Sequence, residues 1–333
     1  MILAHLLLGF IGAIAPGDSH IAYVGRFDWS DKDAPACEWS ATEVRLRVRG
    51  ERLIATIESE METRFEIVVD GQAKGVLALK KGKGQYTVEL PAKGDHEVSL
   101  VRREEAFMGV TKFEGFDLPG GTLLQAHPRT RNIEVIGDSI TCAYGNEGKD
   151  RNEHFKPETE NAYESYASIA ARKVNADVSI AAWSGRKMWP NDTIPEIYDF
   201  ILPTKMTVRY DFRGPVPAAI VINLATNDFG KGAPDEAQWT AAYESFIKRL
   251  WDHYPKARIY ATTGPMMAGQ SLTTLKQYLQ KIDSDLADRR LHLLDFETQR
   301  EEDGYGADWH PRVNTDEIMG ARLAEVLKRD LGW

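Results

Sequence analysis

The sequence predicts a chain of two domains: an N-terminal β-sandwich of the jelly-roll type, and a C-terminal α/β domain with three α/β/α layers around a parallel sheet. Three observations lead to this fold class. Short runs of alternating apolar and polar residues come first, a stretch rich in turn formers follows, and apolar strands then alternate with amphipathic helices. A length of 333 residues leaves room for two domains, because single cores rarely grow beyond about 250–300 residues.

Residues 1–19 are predicted to be a separate N-terminal segment with the pattern of a signal peptide. The first 15 residues are apolar and end in Ala13-Ile14-Ala15, a small-residue motif typical of signal-peptide cleavage sites. The segment is too short for a membrane-spanning helix, and it lacks the Lys or Arg that usually precedes the apolar run. We therefore expect a secreted or periplasmic protein. A buried N-terminal segment and an incomplete gene start are the alternatives.

Residues 20–120 are predicted to form the β-sandwich. Alternation with a period of two residues indicates strands with one face in the core and one in water. Such runs lie at 43–50, 53–57, 65–71, 86–90 and 96–102. Many short strands without a helical pattern between them favour a sandwich or jelly roll. Residues 121–131, rich in turn formers, are predicted to be a linker.

Residues 132–333 are predicted to form the α/β domain. Near-continuous apolar runs, typical of parallel strands covered on both faces, lie at 133–136, 178–183, 218–224, 258–262 and 291–294. Helical patterns lie at 161–174, 235–254, 272–290 and 315–331. This alternation favours three layers, and in such folds the functional side chains collect at the carboxyl ends of the strands.

The composition makes some partners unexpected. A formal net charge of −9 and a pI near 5.5 provide no basic surface for a phosphate backbone, so nucleic acid is not an expected partner. Cys37 and Cys142 lie far apart and outside any metal-type spacing, so we expect both to be free and predict no metal or cofactor. The sequence leaves the oligomeric state open.

The first strand of the α/β domain ends in Gly137-Asp138-Ser139, which delivers a serine to the start of a helix. A hydroxyl at the carboxyl end of a parallel strand lies where open α/β sheets bind their ligands, so Ser139 is the candidate nucleophile. The tripeptide also fits an ordinary turn followed by a helix cap. Residues on other strand ends therefore have to decide between the two interpretations.

Those strand ends carry suitable partners. Gly185 follows the second strand and Asn227 the third, so a main-chain N–H and a side-chain amide can join the N–H of Ser139 in an oxyanion hole. His310 follows the fifth strand and is the candidate general base, because the pKa of histidine lies near neutrality. Asp308 lies two residues before it and is the candidate third member of a triad.

Four of these features, in this order and on these strand ends, resemble the sequence blocks of the SGNH (GDSL-type) hydrolases. They are Gly137-Asp138-Ser139, Gly185, Asn227 and His310. The chain is more closely similar to carbohydrate esterase family 2, whose members join an N-terminal jelly roll to a C-terminal SGNH domain. The matching stretches are 23–28, 136–145, 223–229, 264–266 and 308–311. The resemblance implies metal-independent removal of O-acetyl groups from plant cell-wall polysaccharides such as acetylated xylan or glucomannan. It implies that Ser139 is acetylated and that His310 is the general base and acid.

The sequence departs from the wider SGNH pattern in two places. Ala225 occupies a position that is usually glycine, and Ala307 occupies the position of the aspartate that usually precedes the histidine by three residues. Asp308 is one residue closer. Either the Asp308 carboxylate orients His310 or, as the resemblance to family 2 suggests, main-chain carbonyls do.

Three aromatic residues are candidates for contact with a sugar: Trp309 beside the base, Trp189, and Tyr144 in the stretch that follows Ser139. An indole offers apolar area to pyranose C–H groups, and core packing is the alternative role. The expected partner is an acetylated polysaccharide or oligosaccharide. Two other functions stay open: a lipid or thioester esterase, which needs an apolar acyl channel, and a non-catalytic carbohydrate-binding protein.

Overall fold

The computed structural model describes residues 13–333, apart from the side chains of residues 92 and 93. Most of the predicted signal peptide lies outside the described residues. Ile14 pairs with Phe116 through two main-chain hydrogen bonds of 2.7 and 2.9 Å. Within 13–333, no helix combines the length and the apolar character needed to cross a membrane.

The N-terminal domain is built on antiparallel strands. They are β1 (Ala22–Val24), β2 (Ala36–Cys37), β3 (Glu43–Ser59), β4 (Thr63–Val69), β5 (Gln72–Leu79), β6 (Gly82–Arg102), β7 (Thr111–Asp117) and β8 (Thr122–Leu124). The described strands of this domain form one eight-stranded sheet in the order β2-β7-β3-β6-β4-β5, and β1 and β8 pair with β3 beside that path.

The sheet curves until distant strands face each other. The rings of Phe65 on β4 and Phe113 on β7 lie 5.6 Å apart. These strands are three places apart in the sheet order, which would separate them by roughly 14 Å in a flat sheet. One continuous sheet therefore encloses the core of the predicted sandwich.

Two strands are longer than the sequence pattern predicts. β3 joins the predicted runs 43–50 and 53–57, and β6 joins 86–90 and 96–102. A bulge between Gly50 and Arg52 shifts the register of this pair without ending it. The prediction of a linker over 121–131 is wrong for β8, because its residues pair with β3 at Arg47–Arg49.

The C-terminal domain holds a parallel sheet of five described strands in the order β10-β9-β11-β12-β13. These strands are β9 (Asn132–Gly137), β10 (Asp177–Ala182), β11 (Ala219–Asn223), β12 (Arg258–Thr263) and β13 (Leu291–Asp295). The helices are α1 (Ser139–Cys142), α2 (Tyr166–Lys173), α3 (Ile194–Ile197), α4 (Glu236–His253), α5 (Gly269–Leu286) and α6 (Val313–Leu331). Single 3₁₀ turns lie at Ala106–Met108, Pro157–Thr159, Ala162–Glu164, Glu301–Asp303 and Ala307–Trp309.

Successive side chains of the central strand β11 enter two separate cores. Ile220 and Ile222 pack with residues of α4 and α5, whereas Ala219 and Val221 pack with residues of α2 and α6. Because neighbouring side chains of a strand point to opposite faces, the helices cover both faces of the sheet. The predicted three-layer α/β/α fold is confirmed.

Buried polar contacts join the two domains. The Arg26 guanidinium donates to the Glu134 carboxylate of β9 at 2.8 Å, and both side chains are almost completely buried. Arg45 on β3 donates to Asp177 at the start of β10 at 2.7 Å. The N-terminal domain therefore packs against the sheet of the second domain.

Cys37 and Cys142 are both free and buried.

Candidate active site

The candidate nucleophile lies on a tight turn between β9 and α1. Asp138 is the residue before the helix, and its carboxylate accepts a hydrogen bond from the Ile140 N–H at 3.1 Å. At Gly137 a side chain would not fit, because a Cβ atom would lie 2.0 Å from Thr141 Oγ1. The turn therefore needs glycine at the end of β9. Ser139 follows two residues later, as the first residue of α1.

The register of the sheet brings the other candidates to the same edge. Gly137 is level with Ala182 on β10 and with Asn223 on β11. The segments that follow these three strands therefore begin side by side. They carry Ser139, Gly185 and Asn227.

Ser139 and His310 form a hydrogen-bonded pair. Ser139 Oγ lies 2.9 Å from His310 Nε2. The other ring nitrogen, Nδ1, lies 3.2 Å from each of two main-chain carbonyl oxygens, those of Ala307 and Asp308. A proton on Nδ1 faces these acceptors, which leaves Nε2 unprotonated and directed at the serine hydroxyl. This is the tautomer that can take a proton from Ser139.

The Asp308 carboxylate is turned away from the imidazole, so the expectation that it completes a triad is wrong. It accepts hydrogen bonds from Tyr144 Oη at 3.0 Å, from the Phe155 N–H at 3.0 Å and from His154 Nδ1 at 2.9 Å. Asp308 and Trp309 both have left-handed backbone, with φ of 50° and 68°. This turn aims the main chain of residue 308, rather than its carboxylate, at the base.

We expect Asp308→Asn to reduce kcat less than tenfold. An asparagine oxygen can still accept from the Phe155 and Tyr144 donors, and the carbonyls that orient His310 are unchanged. Loss of a carboxylate that contacts the catalytic histidine costs about 10⁴-fold. Steady-state hydrolysis of 4-nitrophenyl acetate separates the two cases, and a loss of that size would return Asp308 to the triad.

Burial lowers the pKa of His310 below the ordinary histidine value, and the hydrogen bonds to the Ala307 and Asp308 carbonyls offset only part of this effect. The imidazole therefore stays neutral at pH values where an exposed histidine is protonated. Because only the neutral ring can accept the Ser139 proton, activity should fall as pH falls through this lowered pKa. We expect the acidic limb of kcat/KM for acetyl-ester hydrolysis to have an apparent pKa below about 6.5. An acidic limb above that value, in protein that stays folded, would contradict this.

Three candidate oxyanion donors lie on the segments that follow β9, β10 and β11, which begin side by side. The N–H of Ser139 is the first of α1 and has no acceptor within its own helix. Gly185 is exposed and has φ of 80°, a conformation that favours glycine. Asn227 Nδ2 donates to the Arg186 carbonyl at 2.9 Å and makes a longer contact of 3.5 Å with Asp138 Oδ2, so an oxyanion bound here would replace the longer contact. The arrangement can stabilise an oxyanion.

Two carboxyl groups, those of Asp138 and Asp228, lie next to the segments that carry these donors. The sequence analysis did not identify Asp228 as a residue of the site. Asp228 Oδ1 accepts hydrogen bonds from the Trp189 N–H at 3.0 Å and from Trp239 Nε1 at 2.8 Å, so it ties the loop after β10 to the loop after β11. Burial, with a smaller contribution from the nearby Asp228, raises the pKa of Asp138 to about 7. The carboxyl beside the nucleophile is therefore partly uncharged at neutral pH, which weakens its repulsion of an oxyanion.

The three aromatic candidates occupy different environments. Trp309 is 51% exposed, and the Arg151 guanidinium lies 4.5 Å from its ring and 4.5 Å from that of Tyr305. Tyr144 packs against His310 with the rings tilted by 34° and their centres 4.2 Å apart. Trp189 is half-buried and packs against the core beneath α4. Trp309 therefore offers the most open ring beside the base.

Comparison with known proteins assigns both domains. Residues 23–128 match the family model "Carbohydrate esterase 2 N-terminal", and residues 135–317 match the "GDSL-like Lipase/Acylhydrolase family" model. The chain is 38% identical to a family two carbohydrate esterase from Clostridium thermocellum solved in complex with cellohexaose. That comparison has a TM-score of 0.90 and covers 94% of this chain and 99% of the other.

Two curated relatives cover almost the whole chain. A cellulase/esterase from Acetivibrio thermocellus is 39% identical over 326 residues, which is 94% of this chain but 40% of that protein. An acetylxylan esterase / glucomannan deacetylase from Cellvibrio japonicus is 28% identical over 344 residues, covering 98% of this chain and 93% of that protein. The chain thus spans less than half of the first relative and nearly all of the second.

Proposed function

The chain belongs to family 2 of the carbohydrate esterases, and on that premise we propose that it removes O-acetyl groups from plant cell-wall polysaccharides by a serine mechanism. The observation that carries the proposal is the Ser139–His310 hydrogen bond of 2.9 Å. Relatives named as acetylxylan esterase / glucomannan deacetylase support acetylated xylan and glucomannan as substrates. Action on such polymers favours a secreted or periplasmic location.

In the first half of the reaction, Ser139 Oγ attacks the carbonyl carbon of the acetyl group while its proton passes to His310 Nε2. The N–H groups of Ser139 and Gly185 and the Asn227 amide hold the negative charge on the carbonyl oxygen. The imidazolium formed keeps its second N–H on the Ala307 and Asp308 carbonyls. It then donates a proton to the sugar oxygen as the ester bond breaks, which leaves acetyl-Ser139.

In the second half, His310 takes a proton from a water molecule that attacks the acetyl carbonyl. The same three donors stabilise the second oxyanion. Ser139 Oγ recovers the proton from His310, and acetate leaves. Every proton in the cycle therefore passes through His310 Nε2, in agreement with its position next to Ser139 Oγ.

Trp309 is proposed to hold the sugar ring that carries the acetyl group. Its main chain is held by Gln299, whose Nε2 donates to the Trp309 carbonyl at 2.7 Å, and its side chain faces solvent one residue before the base. Because Trp309 is the residue before His310, a pyranose stacked on its ring would lie close to the base. Tyr144 lines the other side of His310, whereas Trp189 has less ring surface available.

The direct test is the release of acetate from acetylated xylan and acetylated glucomannan, with Ser139→Ala as control. We expect the wild-type chain to release acetate from at least one polymer and the variant to release it on the order of 10⁶-fold more slowly. 4-Nitrophenyl acetate and octanoate, compared in parallel, test the alternative of a lipid esterase. A preference for octanoate would favour that alternative, and equal acetate release by wild type and variant would reject the serine mechanism.

A further inference from the structure

One turn of the N-terminal domain reaches into the candidate active site. It follows β6, contains the 3₁₀ turn Ala106–Met108, and is held in shape by Arg102, which is fully buried. The Arg102 guanidinium donates to the carbonyls of Glu104 at 3.1 Å and Gly109 at 2.8 Å. The backbone on both sides of Glu105 is therefore fixed by a side chain of the same domain.

Glu105 crosses the domain boundary to bind the segment that carries Gly185. Its side chain is fully buried. One carboxylate oxygen accepts from the Ser184 N–H at 2.7 Å, and the other accepts from the Ser184 hydroxyl. Ser184 immediately precedes Gly185, so its main chain and side chain are both held next to the peptide group that supplies the Gly185 N–H.

The same turn is also linked to His310 through a chain of aromatic contacts. Phe107 is 37% exposed, and its ring centre lies 5.9 Å from that of Phe155. Phe155 stacks on Tyr144 at 4.5 Å, and Tyr144 in turn packs against His310. The turn is therefore linked to the Gly185 segment through Glu105 and, less directly, to His310 through aromatic side chains.

A second buried carboxyl, that of Glu160, lies beside Glu105. A carboxylate oxygen of Glu105, a carboxylate oxygen of Glu160 and Cys142 Sγ all lie within 4.8 Å of one another. The Glu105 N–H donates to the Glu160 carboxylate at 3.2 Å. Burial raises the pKa of both carboxyls, and the proximity of Glu105 raises that of Glu160 further. Glu105 is the carboxyl of this pair that accepts the two hydrogen bonds from Ser184.

We propose that Glu105 is a positioning residue for the oxyanion hole, so that the N-terminal domain completes the catalytic site of the second domain. The proposal rests on the proposed function, because it assumes that the Gly185 N–H binds the oxyanion. Glu105 touches neither the substrate nor Ser139. It acts by holding Ser184, and through it the direction of the Gly185 N–H.

The chain provides a matched control for this contact. Glu38 is another fully buried carboxylate of the N-terminal domain, and it accepts from the N–H of Thr204 at 3.0 Å and from the Thr204 hydroxyl. The chemistry is the same as that of the Glu105–Ser184 contact, and Thr204 lies outside the candidate site. Glu38→Ala therefore reports the cost of losing an interdomain clamp without a change at Gly185.

The experiment compares wild type, Glu105→Ala, Glu105→Gln and Glu38→Ala in the full chain. Steady-state hydrolysis of 4-nitrophenyl acetate gives kcat and KM, and inhibition by methylboronic acid reports binding of a tetrahedral adduct whose oxygen occupies the oxyanion hole. We expect Glu105→Ala to lower kcat by roughly 10- to 100-fold with little change in KM, since a complete loss of one donor costs about 10²–10³-fold. The Ki of the boronate should rise by a similar factor.

Glu105→Gln should recover much of the loss, because an amide oxygen can still accept from the Ser184 N–H. Glu38→Ala should lower the thermal midpoint and leave kcat and Ki at wild-type values.

If Glu105→Ala does not fold, Ser184→Ala decides: a lower kcat with a raised Ki supports the proposal, and unchanged values overturn it. Equal kcat and Ki in Glu105→Ala and Glu38→Ala would also overturn it. Absence of esterase activity in the wild type would instead reject the proposed function itself.

Discussion

Replacing Ser139 with alanine is expected to lower kcat for acetyl-ester hydrolysis by on the order of 10⁶-fold, the scale of loss when a serine hydrolase loses its nucleophile. The variant keeps the oxyanion donors and His310 but has no atom that can form the acetyl-enzyme. Water would have to attack the ester directly, without the geometry that Ser139 has toward His310 Nε2. Steady-state assays at high enzyme concentration measure the residual rate.

The substitution removes one oxygen from a side chain that is 8% exposed, so the fold should persist. Circular dichroism and the thermal midpoint check this. A folded Ser139→Ala protein that retained more than about one hundredth of wild-type kcat would show that the acetyl group does not pass through this residue, because the losses expected for a nucleophile are far larger.

Replacing Asn227 with alanine is expected to lower kcat by about 10²–10³-fold with KM nearly unchanged, as for other side-chain donors of an oxyanion hole. The amide is held by its 2.9 Å bond to the Arg186 carbonyl and its 3.5 Å contact with Asp138 Oδ2, so its orientation is set before the substrate arrives. A donor that acts only on the developing charge affects the transition state more than the bound ester. The kinetic split between kcat and KM is therefore the readout.

A matched variant distinguishes this role from simple support of the loop. Asn227→Ser shortens the side chain but leaves a hydroxyl donor, and we expect its kcat to lie between those of wild type and Asn227→Ala. An increase in KM with unchanged kcat in Asn227→Ala would place the amide on the substrate instead. In that case the oxyanion would depend on the two main-chain donors alone.

The sequence predicted the parts of the site that depend on topology. Ser139, Gly185, Asn227 and His310 each follow a different strand, and parallel strands bring their carboxyl ends to one edge. A residue type at a strand end is therefore informative without any knowledge of side-chain contacts. The two-domain fold was predictable for a similar reason, since alternation and its change near residue 120 are local properties of the chain.

Features that depend on long-range contacts were not predictable in this way. The direction of the Asp308 carboxylate follows from donors on Tyr144, His154 and Phe155, more than 150 residues earlier in the chain. Glu105 lies in the other domain, and nothing in its local sequence connects it with Ser184. The length of β3 was missed because Gly50 interrupts the alternation at a bulge, while pairing with β6 continues beyond it.

The central claim is that acetyl transfer proceeds through Ser139. Mass spectrometry of enzyme mixed with 4-nitrophenyl acetate and quenched with acid during turnover tests it most directly. We predict that the intact chain gains the mass of one acetyl group, that peptide mapping places it on Ser139, and that it disappears once substrate is exhausted. A pre-steady-state burst of 4-nitrophenol, measured on the same samples, should accompany the acetylated species, because both appear when acetyl-Ser139 forms faster than it breaks down. An acetyl group on another residue, or turnover with neither a burst nor acetyl-Ser139 in an enzyme that Ser139→Ala leaves active, would contradict the account.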